Sequence, residues 1–344
     1  TIMDCSINQI AEYLGLSRNT VSKAINGKPG VSEETRKKIL ATASEMKYRQ
    51  YLLSYSEKEK EEKHLGSIVF LTKASSQSGF WLSVMDGINK GLEGSGYSLT
   101  LGVITEEEIF QTRIPKVLQE KDIKGIILVE VCNAEMCMKI SNLGYPLVTV
   151  DMPPEESGIE NSIDVVTMEN KKNIEKVIKL LYSKGKRRFS FAGNLNSMNI
   201  SDGLIKRYEA FKETLAKLEL SEEEEYSFKN ESQEQFSNNA YLVEKIRRMK
   251  TPPEVYICGN DNTALHLMHA FTFCGYAIPK DISFVGFDDI PDAGNSLPPL
   301  TTIRTPKTLL GECTAFAILS KIKNPSRPRL FTVAETELVI RDSI

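Results

Sequence analysis

Polar side chains able to read another molecule cluster near the start of the chain, between residues 17 and 26. Ser17 is placed to cap a short helix, which leaves Arg18 and Asn19 in the exposed first turn of that helix. An Arg fork suits the edge of guanine and an Asn amide suits adenine, each through paired hydrogen bonds. Ser22 and Lys23, one turn further along, can reach a base or a phosphate. The predicted chemistry is recognition of DNA.

Short polar side chains on the same stretch suit the phosphate backbone, which positions a protein on DNA without reading its sequence. The candidate phosphate contacts are Ser17, Thr20, Ser22 and Asn26. The alternative interpretation is a small helical bundle with an ordinary polar surface.

The elements that must position these side chains are three short helices, predicted over residues 7–14, 17–25 and 32–47. Ile7, Ile10 and Leu14 fall on one face of the first helix, and Val21 and Ile25 on one face of the second. Gly15 permits a tight turn between them. Two helices this short stabilise each other by crossing at once, which predicts a helix-turn-helix domain over residues 1–50.

A second group of side chains suits a small hydroxylated ligand. Phe80 and Trp81 follow the first strand predicted after residue 65, where aromatic faces can stack on C–H surfaces. Asp151 and Asn260 follow two further predicted strands, and their polar groups can bind hydroxyls. At least one of the two aromatic side chains is expected to pack into the core of the lobe instead.

Apolar runs that alternate with helical patterns dominate the chain after residue 65, which predicts βαβ units and parallel sheets. The predicted strands are nearly continuous in apolar residues, as strands covered on both faces should be. They cover residues 67–71, 98–103, 125–129, 147–150, 188–192, 255–258 and 283–287. The fold class is therefore a small all-α helix-turn-helix domain followed by an α/β sensor of two doubly wound parallel-sheet lobes. Ligands in such sheets bind beyond the carboxyl ends of the strands.

Charge is distributed unevenly along the 344 residues. The whole chain has a net charge of −3, but residues 1–50 contain eight basic and five acidic side chains, and the rest has a net charge of −6. A small basic head on an acidic body suits local contact with phosphate. The six cysteines, spread from Cys5 to Cys313, lack zinc-finger or CxxC spacing and are expected to be reduced thiols. With no secretion or membrane segment, we expect a cytoplasmic protein.

The head resembles the DNA-binding domain of the LacI/GalR family of bacterial regulators, through the run SINQIAEYLGLSRNTVSKAINGKPGVSEETRKKILATASEMKYR from residue 6 to residue 49. The resemblance continues along the whole chain in the segments FSFAG, RYEAF, GNDNTA, ISFVGFDD, PPLTTI and ELVIR. It implies that Arg18 and Asn19 read the operator, with Lys23 beside them. It also implies a sensor with the fold of periplasmic binding proteins.

For the sensor, the resemblance implies that Arg207 and Asp288 bind the effector. Asp261 and Asp289 are expected to cap a helix or fix a loop instead. We expect the effector to be a sugar or sugar derivative, and a purine or a sugar phosphate remain open alternatives. Lobe 1 is expected over residues 65–160 and 292–323, and lobe 2 over residues 161–291 and 324–344.

Residues 51–64 depart from the family pattern. They form a charged linker in which Glu57 stands where a minor-groove leucine is expected. One interpretation makes Leu52, Leu53 or Tyr55 a candidate substitute wedge, since apolar side chains can open a base step. The other interpretation is binding without strong kinking, or a different half-site spacing.

The residues also argue against other classes of protein. The chain has no Gly-x-Ser-x-Gly, P-loop or GxGxxG motif, and the pair His266 and His269 has no metal-binding pattern, so we expect no enzyme, cofactor or metal. A solute-binding protein that delivers a sugar to a transporter is the alternative function, but it has no use for the head. The predicted partners are a pseudo-palindromic operator and a second copy of the chain, because a two-fold protein matches two half-sites. No membrane partner is expected.

Overall fold

The computed structural model describes residues 6–48, 64–73, 79–153, 158, 163–197 and 199–344. The wedge candidates Leu52, Leu53 and Tyr55, together with Glu57, lie outside these residues, as does Cys5. Contacts divide the chain into one unit up to Leu65 and a second from Gly66 to Ile344.

The elements are numbered in chain order. The helices are α1 (Ile7–Leu14), α2 (Arg18–Ile25), α3 (Glu33–Glu45), α4 (Gly79–Leu92), α5 (Glu106–Phe110), α6 (Ala134–Ser141), α7 (Lys172–Ser183), α8 (Asp202–Lys217), α9 (Gln233–Ser237), α10 (Asn239–Arg247), α11 (Asp261–Phe273), α12 (Pro291–Asn295) and α13 (Lys307–Lys323). The strands are β1 (Gly66–Lys73), β2 (Tyr97–Ile104), β3 (Ile123–Val129), β4 (Leu147–Val150), β5 (Asp164–Met168), β6 (Phe189–Ala192), β7 (Val255–Cys258), β8 (Ser283–Val285), β9 (Thr302–Arg304), β10 (Phe331–Ala334) and β11 (Glu337–Val339).

The first unit is a bundle of α1, α2 and α3 around a small apolar core. Ile10, Val21 and Ile39, one from each helix, are fully buried in it. Gly15 ends α1 in the left-handed conformation, with φ of 64°, and its N–H bonds back to the last turn. A residue with a Cβ is strained at that φ, so the glycine allows the abrupt turn into α2. The expected helix-turn-helix is confirmed.

The second unit contains two parallel sheets. Lobe 1 has six strands in the order β10-β5-β4-β3-β1-β2, and lobe 2 has three in the order β6-β7-β8, with the antiparallel pair β11-β9 beside them. Both large sheets are parallel throughout. The predicted fold class is confirmed.

Strand β1 shows why its sequence is continuously apolar. Ile68 and Phe70 belong to the large core that extends into lobe 2, whereas Val69 and Leu71 belong to a separate core on the other face of the sheet. Side chains alternate between the two faces of a strand, so a strand that is covered on both faces buries nearly all of its side chains and is apolar along its length.

Helices α4 and α13 cover lobe 1 together and cross at two glycines. A Cβ on Gly87 would lie 2.1 Å from the Thr308 carbonyl oxygen, and one on Gly311 would lie 2.1 Å from the Val84 carbonyl oxygen. The backbones therefore touch directly, which only glycine permits at these positions.

The sheet pairing corrects three of the expected lobe boundaries. Residues 164–168 were expected in lobe 2, but β5 pairs with β4 in lobe 1. Residues 331–334 were also expected in lobe 2, but β10 pairs with β5. The return to lobe 1 was expected from residue 292, yet the segment that contains α12 and β9 stays on lobe 2, where the Gly286 N–H donates to the Thr301 carbonyl.

A buried carboxylate explains why β5 was missed. Asp164 opens the strand and is 1% exposed, so the strand does not begin as an apolar run. Arg327 forms an ion pair with this carboxylate, and the Leu330 N–H donates to it at 2.9 Å. Asp164 thereby attaches the segment that leads into β10 to β5. Arg327 lies 163 residues after Asp164 along the chain, so no local pattern in the sequence reveals the contact.

Candidate functional site

Helix α2 presents the predicted DNA-reading residues. The Ser17 hydroxyl accepts a hydrogen bond from the Thr20 N–H at 3.1 Å and lies 2.8 Å from the Thr20 hydroxyl, so Ser17 is the N-cap. Arg18 and Asn19 follow it, and both are exposed. Neither side chain forms a hydrogen bond or salt bridge with another residue that the structure describes. Both are therefore available to a partner.

The remaining predicted contacts lie on the same helix. Lys23 and Ser22 are half-buried one turn after Arg18 and Asn19. Asn26 is exposed, and its amide nitrogen donates to the Ser22 carbonyl at 2.8 Å and to the Ser22 hydroxyl at 3.3 Å. These two side chains stabilise the end of the helix.

Arg36 on α3 is a positioning residue that the sequence reasoning missed. Its guanidinium donates to the Ala24 carbonyl at 2.8 Å and to the Lys28 carbonyl at 2.7 Å. It therefore holds the carboxyl end of α2, whose last carbonyls have no partner within the helix. The available signal was a basic residue in the first turn of a helix, where helix electrostatics disfavour a cation.

A cavity of about 430 Å³ lies between the two lobes of the second unit, at the carboxyl ends of their strands. All six predicted effector-binding residues line it. These are Phe80, Trp81, Asp151, Arg207, Asn260 and Asp288. The residues come from both lobes, so a ligand in the cavity touches both.

Arg207 lies in the wall of the cavity and is 8% exposed. Its Nε donates to Asn170 Oδ1 at 2.8 Å, and Nη1 donates to the Gly259 carbonyl at 2.7 Å. The guanidinium carbon lies 3.5 Å from the centre of the Phe287 ring. Arg207 therefore supports the cavity wall through its own contacts, which the sequence did not reveal.

Asp288 follows β8 and has an unusual backbone, with φ of 109°. Its carboxylate has no hydrogen bond or ion pair among the described residues. Burial raises the pKa of this carboxyl to about 7, although the cations Arg207 and Lys307 oppose the rise. An unpaired carboxylate on a cavity wall is a ready acceptor for ligand hydroxyls.

Asp151 and Asn260 are partly engaged with their own backbone. One Asp151 oxygen accepts from the Met152 N–H at 2.9 Å, and the residue has a φ of 63°. Asn260 caps α11, because its side-chain oxygen accepts from the Thr263 N–H at 2.8 Å. Each keeps one polar atom without such a bond.

Asp261 and Asp289 serve as loop anchors, as expected. Asp261 is fully buried and accepts hydrogen bonds from the Thr302 hydroxyl at 2.5 Å and the Ile290 N–H at 2.9 Å. Burial, with Asp288 close by, raises the pKa of Asp261 to about 8. Asp289 forms salt bridges of 2.6 Å with both Arg304 and Arg341.

Phe80 and Trp81 form one aromatic wall. Their ring centres are 4.5 Å apart at an interplanar angle of 78°, an edge-to-face pair. At least one of them was expected to pack into the core, and both do, while both also line the cavity. At the start of α4, consecutive side chains can contact the sheet and the cavity at once.

Lys73, Glu130 and Asn199 also line the cavity, and the sequence reasoning missed them. Asn199, from lobe 2, accepts from the Cys132 N–H at 2.8 Å and donates to the Glu130 carbonyl at 3.0 Å, both in lobe 1. Lys73 and Glu130 come shortly after the strands predicted over residues 67–71 and 125–129, which was a usable signal. Asn199 lies in a loop and offered none.

The part of the chain that the structure describes contains no disulfide and no candidate metal site. The five cysteines there are free thiols, and no group of three His, Cys, Asp or Glu residues is arranged to hold a metal ion. His269 Nδ1 lies 3.1 Å from Asn239 Oδ1. None of the described helices is both long and apolar enough to span a bilayer.

Comparison with known proteins agrees with this architecture. A family model described as bacterial regulatory proteins, lacI family, matches residues 6–50. A model for a periplasmic binding protein-like domain matches residues 178–344. The two models cover the head and much of the cavity-forming unit.

Two curated relatives match over 98% of this chain and 98% of their own length. The HTH-type transcriptional repressor PurR of Vibrio parahaemolyticus is 27% identical over 350 residues. The ribose operon repressor of Haemophilus influenzae is 26% identical over 345 residues.

Solved structures share the fold over the same length. The complex of the transcriptional regulator CelR with cellobiose has a TM-score of 0.71 at 20% identity and covers 99% of this chain and 100% of that chain. The lac repressor dimer bound to operator and the anti-inducer ONPF has a TM-score of 0.69 at 20% identity and covers 98% of each chain. With the head, the two lobes and the matching family models in agreement, this chain combines a DNA-binding head that matches the lacI family of bacterial regulatory proteins with a second unit that matches the periplasmic binding protein-like domain.

Proposed function

We propose that this protein is a sequence-specific DNA-binding repressor of transcription, and that a sugar or sugar derivative in the cavity modulates its affinity for the operator. One observation carries the proposal. The same chain presents an exposed Arg18-Asn19 turn without internal partners and a cavity of about 430 Å³ lined by charged and aromatic side chains. It acts in the cytoplasm, where the DNA is.

DNA recognition rests on the first turns of α2. Arg18, Asn19 and Lys23 read base edges in the major groove, where a side chain with two donors can bind guanine and an amide can bind adenine. Ser17, Thr20, Ser22 and Asn26 contact phosphate and set the orientation of the helix. The exposure of Arg18 and Asn19 supports these roles.

Effector recognition rests on the cavity. Phe80 and Trp81 offer an aromatic surface, and Asp151, Arg207, Asn260 and Asp288 offer polar groups that can replace the water around hydroxyls. The names of related proteins support this ligand class, since they include a ribose operon repressor and a regulator solved with cellobiose.

The active form is a homodimer on a pseudo-palindromic operator. One head offers few base contacts, and two heads related by a two-fold axis double them on a matching pair of half-sites. The lac repressor structure with the same fold is a dimer on its operator. Coupling is reciprocal, so an effector that weakens DNA binding binds the DNA complex less tightly by the same factor.

Delivery of a sugar to a transporter was the other candidate. A solute-binding protein shares the two-lobed fold but has no use for a helix-turn-helix, and the relatives reported above are repressors. We therefore set this alternative aside.

The test is a binding-site selection from random DNA, performed with the wild type and with Arg18→Ala and Asn19→Ala. Each substitution is expected to relax the preference at one position of each half-site. Specific affinity should fall by about 1–3 kcal/mol, roughly fivefold to 150-fold. Arg113→Ala removes an exposed charge from the second unit and serves as the control. Unchanged sequence preferences in both head variants would remove Arg18 and Asn19 as readers.

A further inference from the structure

The charged side chains on the cavity wall are unequal in number. Four are acidic and two are basic, which gives the wall a net charge of −2 when all are ionised. They are Glu106, Glu130, Asp151, Asp288, Lys73 and Arg207. This balance bears on the charge of the ligand that the cavity accepts.

Both basic side chains are already engaged. Lys73 Nζ lies 3.8 Å from the carboxylate of Glu106, an exposed residue. Arg207 donates to Asn170 and to the Gly259 carbonyl and packs on the Phe287 ring. An anionic ligand would therefore meet one cation that is already paired and another whose guanidinium already donates to three acceptors, the third being the Met168 sulfur at 3.7 Å.

The remaining acidic side chains are not neutralised by a partner. Glu130, Asp151 and Asp288 form no salt bridge with any described residue, and only Asp151 has a hydrogen bond to its carboxylate, from the Met152 N–H. Each has a left-handed backbone, with φ of 55°, 63° and 109° respectively. Such backbone conformations are costly for residues other than glycine and collect at ligand sites.

One further cation lies behind the wall. Lys307 Nζ donates to the carbonyl oxygens of Asp288 and Asp289, and its charge opposes the acidic excess without removing it. Its donors are held by backbone oxygens, so it does not replace a free cation for a ligand.

We propose that the cavity binds a polyhydroxylated ligand that carries no anionic group, a neutral or amino sugar, and rejects the phosphorylated or carboxylated form of that ligand. This inference rests on the proposed function and specifies its effector. Hydroxyl and ammonium groups donate hydrogen bonds that the three carboxylates can accept. A phosphate or a carboxylate brings a like charge into a partly buried site, where screening by water is weak.

The experiment is a calorimetric titration of the full-length protein with matched sets of compounds. One set is D-glucose, D-glucosamine, D-glucuronate and D-glucose 6-phosphate, and equivalent sets start from galactose, ribose and cellobiose. The tightest neutral or amino member should bind at least about tenfold more tightly than its anionic counterparts, a difference of about 1.4 kcal/mol. An anionic member that binds as tightly or more tightly overturns the proposal, as does a panel in which no neutral or amino member binds.

A matched pair of variants tests the cause. Glu130→Gln removes one charge from the wall and should narrow the ratio between neutral and anionic affinities several-fold. Glu135→Gln makes the same chemical change on the exposed side of α6, outside the cavity, and should leave that ratio as it is. Equal ratios in Glu130→Gln and the wild type would overturn the electrostatic explanation.

The same preparations separate this inference from the proposed function. If the protein selects a DNA sequence but prefers anionic sugars, only the ligand class is wrong. If it selects no DNA sequence, the proposed function fails, whichever sugar the cavity binds.

Discussion

Replacing Arg207 by alanine should destabilise the second unit even before any ligand is added. The side chain is 8% exposed and bonds to Asn170 and to the Gly259 carbonyl. Its removal leaves both acceptors without their donor and removes a cation whose charge opposes the rise in the pKa of the unpaired Asp288. The variant therefore changes the scaffold of the cavity as well as its surface.

The magnitude follows from those contacts. A buried acceptor that loses its partner costs about 1–3 kcal/mol, and a desolvated cation over an aromatic ring contributes about 2 kcal/mol. The desolvation of Arg207, which lowers the pKa of its guanidinium, offsets part of this loss. We expect the free energy of unfolding to fall by about 3–5 kcal/mol, in the range for breaking a buried charged interaction.

Urea denaturation measures the change, with fluorescence of the chain's single tryptophan as the signal. That tryptophan is Trp81, on the cavity wall, so it reports on the second unit. Arg207→Lys keeps the charge but loses the planar fork and should recover only part of the stability. Arg248→Ala, at an exposed ion pair, is the control and should change little.

A loss below about 1 kcal/mol in Arg207→Ala would refute the structural role, since that is the net value of a single ordinary hydrogen bond. The affinity of Arg207→Ala for the effector must be compared with that of the wild type in the absence of urea, at a temperature where the variant is folded. A folded variant that keeps full affinity for the effector would remove Arg207 from the binding site.

Three further predictions concern the cavity and the helices beneath it. Because burial raises the pKa of Asp288 to about 7, its carboxyl is largely protonated at pH 6, and affinity for a neutral sugar should rise several-fold from pH 6 to pH 8; calorimetry should find no such rise in Asp288→Asn. Asn199→Ala removes two of the hydrogen bonds that join the lobes, so effector affinity should fall about tenfold, and unchanged affinity would show that Asn199 does not hold the lobes together around the ligand. Gly311→Ala places a Cβ 2.1 Å from a backbone oxygen of α4 and should lower the free energy of unfolding by about 3 kcal/mol, whereas Gly79→Ala, with nothing within 4 Å, should change it little in the same urea assay.

The head was predictable because its information is local. Ser17 caps α2 through a hydrogen bond to a residue three positions away, and Gly15 supplies the turn that precedes it. Helical periodicity placed Ile10 and Val21 in the core, where the structure has them. Contacts that span a few residues leave their pattern in the sequence.

Several cavity residues were predictable for a different reason. Parallel strands end on the same edge of a sheet, so polar residues that follow separate strands, such as Asp151 and Asn260, are brought together wherever those strands lie. This rule places Phe80 and Trp81 on the same cavity wall. It does not specify which hydrogen bonds each side chain makes.

Contacts between distant segments were not predictable. Strand β5 begins with a buried aspartate whose partner, Arg327, is 163 residues away. The hydrogen bond between the Cys132 N–H and the Asn199 side chain joins residues 67 positions apart. Neither pairing follows a local periodic pattern. The sequence therefore did not reveal the lobe boundaries or the hydrogen bonds that join the lobes beside the cavity.

By itself, the sequence determined the helix-turn-helix, the alternation of strands and helices, and the polar positions at the strand ends, because each depends on residues close together along the chain. Only the tertiary structure decided the charge balance of the cavity, since a carboxylate such as Asp288 counts as unpaired only once every neighbour in space is known. The tertiary structure likewise decided that Arg207 is a support for the wall as well as a candidate ligand contact. Burial and pairing are properties of surroundings that several distant segments assemble.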